Sequence, residues 1–356
     1  MPTPFISVLI DTFNQERFIK QALDSVLAQD YPADRREILV VDDGSADNTP
    51  AILAKYGSQI RILRKDNGGQ ASAFNFAIPQ CTGEIVAFLD GDDWWSPNKL
   101  SLLAQAFECH PTVGLVGNSI TEVLADGSQR SELVRDAPQF RLDSLTGARK
   151  FRLRKSFLGT SRMAYRVELL RRIGTVPDSL IFEADEFLFT LGSLFSEVLV
   201  LREPLTFYRL HGQNLFQVHL GANSGMRRKH DVLLALHSSL QQRFAQERVP
   251  ADISRAVLES VQTEADLIAL SLDGGSSLHA VRVELRSYRI MNEGAPPLRK
   301  FLKYASLFPA LFLSPRRYAA LRQKLAASPL YRKLRSRFLP ALGPNHVDRT
   351  GHWSAP

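Results

Sequence analysis

An α/β fold, with a mostly parallel sheet flanked by helices and followed by a C-terminal helical extension, is predicted by three features of the chain. Over the first hundred residues, short apolar runs alternate with amphipathic segments, and this β-α-β-α order implies parallel strands with helical crossovers. Runs such as Ile38-Leu39-Val40-Val41 and Ile85-Val86-Ala87-Phe88-Leu89 are continuously apolar, as strands buried on both faces are. From about Met226 onward the patterning is helical.

Taken in order, Phe5–Ile10 is apolar and β-branched and reads as the first strand, followed by a helical pattern from Arg17 to Gln29. Glu37–Val41 is the second strand. Thr49-Pro50 reads as an N-cap with proline in the first helical position, opening a helix over Ala51–Tyr56. Ile60–Leu63 is a third strand, Ser72–Ala77 a short helix and Ile85–Leu89 a fourth strand, and Pro97 opens a helix to about Phe107. Gly114–Leu124 is strand-like, with Ala125-Asp126-Gly127-Ser128 as a turn. Residues 131–155 are charged and irregular. Ser161–Tyr165 reads as strand, Val167–Ile173 and Phe187–Phe195 as helices, and Val198–Leu201 and Leu205–Tyr208 as two further strands. Helices are expected near 226–246, 250–272 and 276–288, before a proline-rich break at Ala295-Pro296-Pro297. The expected division is a domain over 1–220, in which 1–110 binds a donor and 111–220 carries the acceptor side, then a helical extension over 221–295 and a basic tail over 296–356.

The 356 residues are 44% apolar, enough for a substantial core, which argues against wholesale disorder. Cys81 and Cys109 lie far apart without CxxC spacing, which excludes a disulfide framework or a thiolate metal site. The opening Met1-Pro2-Thr3-Pro4 lacks the basic region of a signal peptide, and no run reaches the length of a spanning helix. The expected location is therefore the cytoplasm. The net charge is +7, but residues 298–340 hold eleven Lys or Arg and no Asp or Glu. Removing those eleven from +7 leaves the rest of the chain at −4, so the basicity belongs to the tail.

Ligands of open parallel sheets bind outside the carboxyl ends of the strands. Here those ends read Asp11-Thr12-Phe13-Asn14, Asp42-Asp43-Gly44-Ser45 and Asp90-Gly91-Asp92-Asp93. Each Asp-Gly pair alone would pass for a turn. Three acidic clusters converging on one sheet edge repel one another unless a cation or hydrogen-bond donors compensate. A divalent metal with oxygen ligands, Mn2+ or Mg2+, is the economical answer, and such an ion bridges a diphosphate well.

The segments SVLIDTFNQERFIKQALDSVLAQDYP, EILVVDDGSADNT, NGGQASAFN, GEIVAFLDGDDWWSP and YRLHGQN closely resemble family 2 glycosyltransferases of the GT-A fold, over about residues 5–215 and in the family's order. The resemblance implies an inverting, metal-dependent transfer of a sugar from a nucleotide-diphosphate sugar, a UDP-sugar foremost, to a hydroxyl of a carbohydrate or lipid-linked acceptor. It implies a donor site of Thr12, Phe13, Asn14, Asp43, Asn67, Gly68, Asp90 and Gly91. Phe13 matches an aromatic that stacks on the base, Asp43 an acid that reads it, and Asp90-Gly91-Asp92 the DxD element, with Asp92 on the metal and Asp90 on ribose or metal. An aromatic face suits a planar base. His211 is a second candidate metal ligand. Phe182-Glu183-Ala184-Asp185-Glu186-Phe187 matches the segment that carries the catalytic base, and its apolar register puts Asp185 in the base position. Glu183 and Trp95 are expected on the acceptor side, one tryptophan of Trp94-Trp95 packing in the core and the other lining the pocket.

Three departures accompany the resemblance. Phe74 stands where the family often has Arg, Ala184 where it usually has Glu, and Asp11 where relatives carry an uncharged residue. Asp11 reads as a turn cap in preference to an addition to the acidic site, and Asp185 and Glu186 could simply favour a helix N-terminus. A catalytically silent nucleotide-sugar-binding or scaffold protein on the same fold is therefore the alternative reading, and a nucleotidyltransferase ranks lower because its Gly-rich, basic N-terminal signature is missing.

The tail interleaves its cations with Phe301, Tyr304, Phe308, Phe312, Tyr331 and Phe338, a composition suited to an anionic bilayer surface. A packed helix with a solvated basic side fits it equally. No motif accompanies the charge to suggest nucleic acid. The expectation is peripheral attachment to the inner membrane face, in cell-surface polysaccharide or glycolipid assembly.

Overall fold

The computed structural model describes residues 3–132, 139–211 and 223–291, together with 304, 312, 313, 317 and 321. They divide between two compact units, Met1–Gln217 with Ser239–Ser254, and Val218–Ser238 with Arg255–Pro356.

The first unit begins with β1 (Ile6–Thr12), α1 (Ile19–Leu27), β2 (Arg36–Asp42), α2 (Thr49–Ala54), β3 (Arg61–Arg64), α3 (Gly69–Ala77) and β4 (Ile85–Asp90). These strands pair in parallel in the order β3-β2-β1-β4. The apolar runs of β1, β2 and β4 are buried throughout, which explains the absence of alternation. One sheet face takes Ile6, Val8, Ile10, Ile38 and Val40 against α1, whose buried Ile19, Ala22, Leu23 and Val26 follow the helical i, i+3, i+4, i+7 spacing. On α2, Asn48 rather than Thr49 occupies the cap position, because the Thr49 hydroxyl accepts the N–H of Gln15 at 2.9 Å.

Next come β5 (Trp94–Trp95), α4 (Lys99–Cys109), β6 (Val113–Val123), β7 (Gln129–Ser131), β8 (Gln139–Phe140), α5 (Leu145–Arg154), β9 (Ala164–Arg166), α6 (Val167–Ile173), α7 (Ala184–Phe195) and β10 (Glu197–Arg209). The sheet continues as β9-β6-β10-β5, with β9 antiparallel to both β4 and β6 and β10 parallel to β6. Two strands expected near 198–208 are one, because the pairing of β10 to β6 continues past Pro204 by shifting register on either side of it. Proline brings no N–H to a ladder, and bulges accommodate it. Helix α5 lies inside the segment read as irregular. Its apolar positions are few, and its start is fixed by the Ser144 hydroxyl, which accepts the N–H of Gly147 at 3.0 Å.

Long helices follow, α8 (Asn223–Gln246), α9 (Ala251–Asp273) and α10 (Ser277–Met291). Within the second unit, Leu270, Ala280 and Val283 form a small core, and Lys229–Glu264 and Arg286–Asp266 ion pairs cross between helices at 3.1 and 2.8 Å. Among the described residues no helix is long and apolar enough to cross a membrane. Most of the basic tail lies outside the described residues, as do Gly212, Gln213 and Asn214 of the YRLHGQN segment; Tyr304 and Phe312 are exposed.

Candidate active site

The carboxyl ends of β1, β2 and β4 meet at one edge, and the register sets Asp11 beside Asp90 in adjacent strands. Gly91 makes the close approach possible: a Cβ there would lie 2.8 Å from the Thr12 hydroxyl. One ligand oxygen from each of Asp90, Asp92 and Asp93 lies within 4.8 Å of the others. One Asp11 carboxyl oxygen, Oδ1, is buried without a hydrogen-bond partner. Burial, reinforced by Asp92, Asp185 and Asp43, pushes the Asp11 carboxyl up to about 7. Burial and Asp92 push Asp93 up to about 8, and burial with Asp11 raises Asp90 as well. Asp93 Oδ2 is likewise buried without a partner. A hard divalent cation fits this donor set, because it supplies the charge that the buried oxygens lack.

His211 joins the cluster from beyond β10, with Nε2 2.9 Å from Asp92 Oδ2 and its ring 4.6 Å from that of Phe18. It is held by what precedes it. Leu210 N–H donates to Val123 O at 2.9 Å. Arg209 donates from its backbone N–H to Asp93 Oδ1 and from Nε to Asp92 O, both at 2.9 Å. Its guanidinium lies 4.8 Å from the Phe18 ring and 4.5 Å from that of Trp94, and Trp94 stacks on Phe207 at 5.0 Å. Arg209 lies in the YRLHGQN segment, yet no role for it is readable there, because its partners, Asp92, Asp93 and the rings of Phe18 and Trp94, are more than a hundred residues away.

Of the expected donor residues, Phe13 is 44% exposed, just past the end of β1. Thr12 is buried beside Gly91, and its carbonyl accepts the N–H of Asp43. Asn14, in the left-handed region at φ 53°, clasps the two loops: its N–H donates to Ser45 Oγ and its Oδ1 accepts from Ala46 N–H. Asp43 is heavily engaged. Its Oδ1 accepts from Lys65 Nζ at 2.6 Å and Gly68 N at 3.0 Å, and its Oδ2 from Gly69 N at 2.7 Å. Gly69 must be glycine: φ is +80° and a Cβ would meet Ile181 O at 2.7 Å. Asn67 is exposed, its backbone packed over Gly44. Phe74 is fully buried, edge-on to Phe88 at 5.1 Å, so the family's Arg is replaced by a core residue.

On the acceptor side, Glu183 is buried and left-handed, φ 62°, at the start of α7. Asp185 is half-buried, with Oδ2 accepting from Thr160 N at 3.2 Å and Thr160 Oγ1 at 3.3 Å, and burial with the Glu186 charge raises it above its ordinary 3.8. Glu186 is committed elsewhere, to Lys155 Nζ at 2.5 Å, with both side chains a tenth exposed or less. The assignment of Trp95 to the acceptor pocket is corrected. Trp95 is 2% exposed and its indole N–H donates to Ser161 O, so it is the core member of the pair, and the half-buried Trp94 is the one with open surface. The Lys99 ammonium is buried below, donating to Ser161 O at 2.7 Å and Thr206 Oγ1 at 3.0 Å, while Ser161 Oγ accepts from Asp90 N–H.

Residues 7–174 match the family model described as glycosyl transferase family 2. An uncharacterized glycosyltransferase of Nostoc sp. is 32% identical over 216 residues, 59% of this chain and 66% of that protein. One of Rickettsia typhi is 41% identical over 98 residues, 28% of this chain and 30% of the relative. The chain thus spans just under two thirds of the first relative and less than a third of the second. In structure, residues 1–349 of S. aureus TarS in complex with UDP-GlcNAc superpose with a TM-score of 0.53 at 21% identity, covering 83% of this chain and 92% of that one. The matched sequence, the topology shared with that structure and the acidic strand ends agree: residues 7–174 match glycosyl transferase family 2 in sequence, and the fold is of the GT-A type.

Proposed function

We propose that this protein transfers a sugar, with inversion, from a nucleoside-diphosphate sugar to an acceptor hydroxyl. The observation that carries the reading is Asp185, a carboxylate of raised proton affinity held by Thr160 and coupled electrostatically to Asp11 and Asp90 at the acidic strand ends. Asp185 takes the proton of the acceptor hydroxyl as that oxygen attacks the anomeric carbon, and the bond from that carbon to the diphosphate oxygen breaks on the opposite face. A base whose proton affinity is raised by burial and by the Glu186 charge suits this step. Phe13 stacks on the nucleotide base, and Asp43 with Lys65 offers an acceptor and a donor to its edge. S. aureus TarS holds UDP-GlcNAc in its complex, which makes a uridine nucleotide the first donor to test. Asp92, with Asp90 and His211, would hold Mn2+ or Mg2+, which when bound neutralises charge on the departing diphosphate.

A thermal-shift panel of UDP-Glc, UDP-GlcNAc, UDP-Gal and GDP-Man with Mn2+, followed by assay of nucleotide release, tests the reading. Stabilisation and release by at least one sugar nucleotide is expected. Ala184, in place of the family's usual Glu, favours a silent binding protein as the second reading; stabilisation without release under any condition would establish that one. The basic tail, with Tyr304 and Phe312 exposed, supports peripheral attachment to an anionic membrane and thus a lipid-linked acceptor.

A further inference from the structure

Gln70 follows directly on the two glycines that Asp43 grips, and it reaches across to the start of α7. Its Oε1 accepts the N–H of Ala184 at 3.1 Å, and its Nε2 donates to Thr160 Oγ1 at 3.0 Å. The backbone follows the same route, with Gln70 N–H donating to Ile181 O at 2.9 Å and Ala71 N–H to Leu180 O at 3.3 Å. Which end of the amide faces which partner is fixed, because a backbone N–H at Ala184 must meet oxygen. The NH2 end therefore faces Thr160, whose hydroxyl must accept from it. A hydroxyl has one hydrogen, and with its acceptor role filled by Gln70 that hydrogen is directed to Asp185 Oδ2, 3.3 Å away.

We propose that Gln70 is a positioning residue for the reaction, orienting Asp185 through the Thr160 hydroxyl. The inference rests on the reading of Asp185 as the base. Asp43, Gly68, Gly69, Gln70, Thr160 and Asp185 then form one connected chain from the nucleotide side of the site to the acceptor side. The ordinary alternative is that Gln70 only caps α7. The two roles separate chemically. In Gln70→Glu the side chain still accepts from Ala184 but has no proton to give, so Thr160 turns its hydrogen toward the introduced carboxylate and away from Asp185. Thr160→Val removes the hydroxyl at nearly constant shape and adds no charge, and Thr160→Ser keeps it.

The test uses the full-length protein and the sugar nucleotide giving the largest thermal shift in the panel above, with Kd for UDP and Mn2+ measured by calorimetry. Misplacement of a reacting group costs up to about 100-fold in rate. Gln70→Glu and Thr160→Val are expected to lower kcat by about 10- to 100-fold while leaving UDP affinity and Tm near wild type, and Thr160→Ser to retain turnover. Losing a hydrogen bond to the charged form also moves the acid limb of the pH profile upward in Thr160→Val and leaves it in place in Thr160→Ser. The other titratable groups facing Asp185 are Asp11 on β1, Asp90 on β4, Tyr165 on β9 and Glu186 on α7, and all are unchanged in these two variants. Wild-type kcat in Thr160→Val overturns the proposal, as does a Gln70→Glu protein that loses stability and UDP affinity together. Asp185→Asn separates the two levels: full turnover in it refutes the base itself, whereas an inactive Asp185→Asn beside a fully active Thr160→Val refutes only the positioning role.

Discussion

His211 Nε2 stands 2.9 Å from Asp92 Oδ2, although 119 positions separate the two residues in sequence. The contact brings together the DxD element and a residue just beyond β10. His211→Ala is expected to weaken Mn2+-dependent binding of UDP by about 10- to 100-fold, the usual range for groups that orient metal ligands. Asp92→Ala is expected to abolish it with the fold intact. Calorimetry with and without the metal reads both; equal affinities in all three proteins would remove the metal assignment.

Asp185 gives a paired prediction for activity and stability. As a base it works only when deprotonated, so turnover should rise with pH through a value above the ordinary 3.8. Asp185→Asn should lose about 10²- to 10⁴-fold in kcat. The sign for stability is opposite. Folding disfavours the charged form, so the native protein is penalised as pH rises through the ordinary value toward the raised one. Asn carries no charge, and the variant should melt at or above the wild-type temperature near pH 7. A variant that is inactive and also clearly less stable would point to a structural carboxylate.

The Lys155–Glu186 pair makes a purely structural prediction. Removing one partner of a buried pair leaves the other charge uncompensated and costs about 3–5 kcal/mol. Lys155→Met should therefore destabilise strongly in urea unfolding, and Lys155→Met with Glu186→Leu should recover most of the loss. Failure of the double variant to recover would show that the pair is not isolated from its surroundings.

The tail carries the fourth prediction. Cations near an anionic surface contribute up to about 1 kcal/mol each, falling as salt rises. Full-length protein should sediment with phosphatidylserine vesicles at low salt. Truncation after Glu293 should abolish sedimentation and keep UDP binding. Full-length protein that ignores the vesicles would make the tail a packing or assembly element.

Much of this was legible in the sequence because it depends on short-range pattern. Continuous apolar runs marked β1, β2 and β4, and the acids at their ends marked the site. What escaped depends on tertiary partners. Helix α5 has too few apolar positions to show a periodic face, and Trp94 and Trp95 are indistinguishable until β10 pairs with both, setting Trp95 opposite the buried Thr206 and Trp94 opposite Phe207. For Asp11, nothing local tells a turn carboxylate from one set beside Asp90 in the neighbouring strand. Arg209 and Gln70 act through partners distant in sequence, Asp92 and Asp93 for the one and Thr160 and Ala184 for the other, and such contacts have no compositional signature.

The stack of Phe18, Arg209, Trp94 and Phe207 bears on how tightly an ion can be held. Immobilising side chains is a large unfavourable entropy in most binding events. Here the residue two places before His211 is clamped between rings and tied to Asp92 and Asp93 before any ligand arrives. That ordering falls on folding, so a cation binding there would meet Asp92, Asp93 and His211 already placed, at a smaller entropic cost than side chains still free to move would impose.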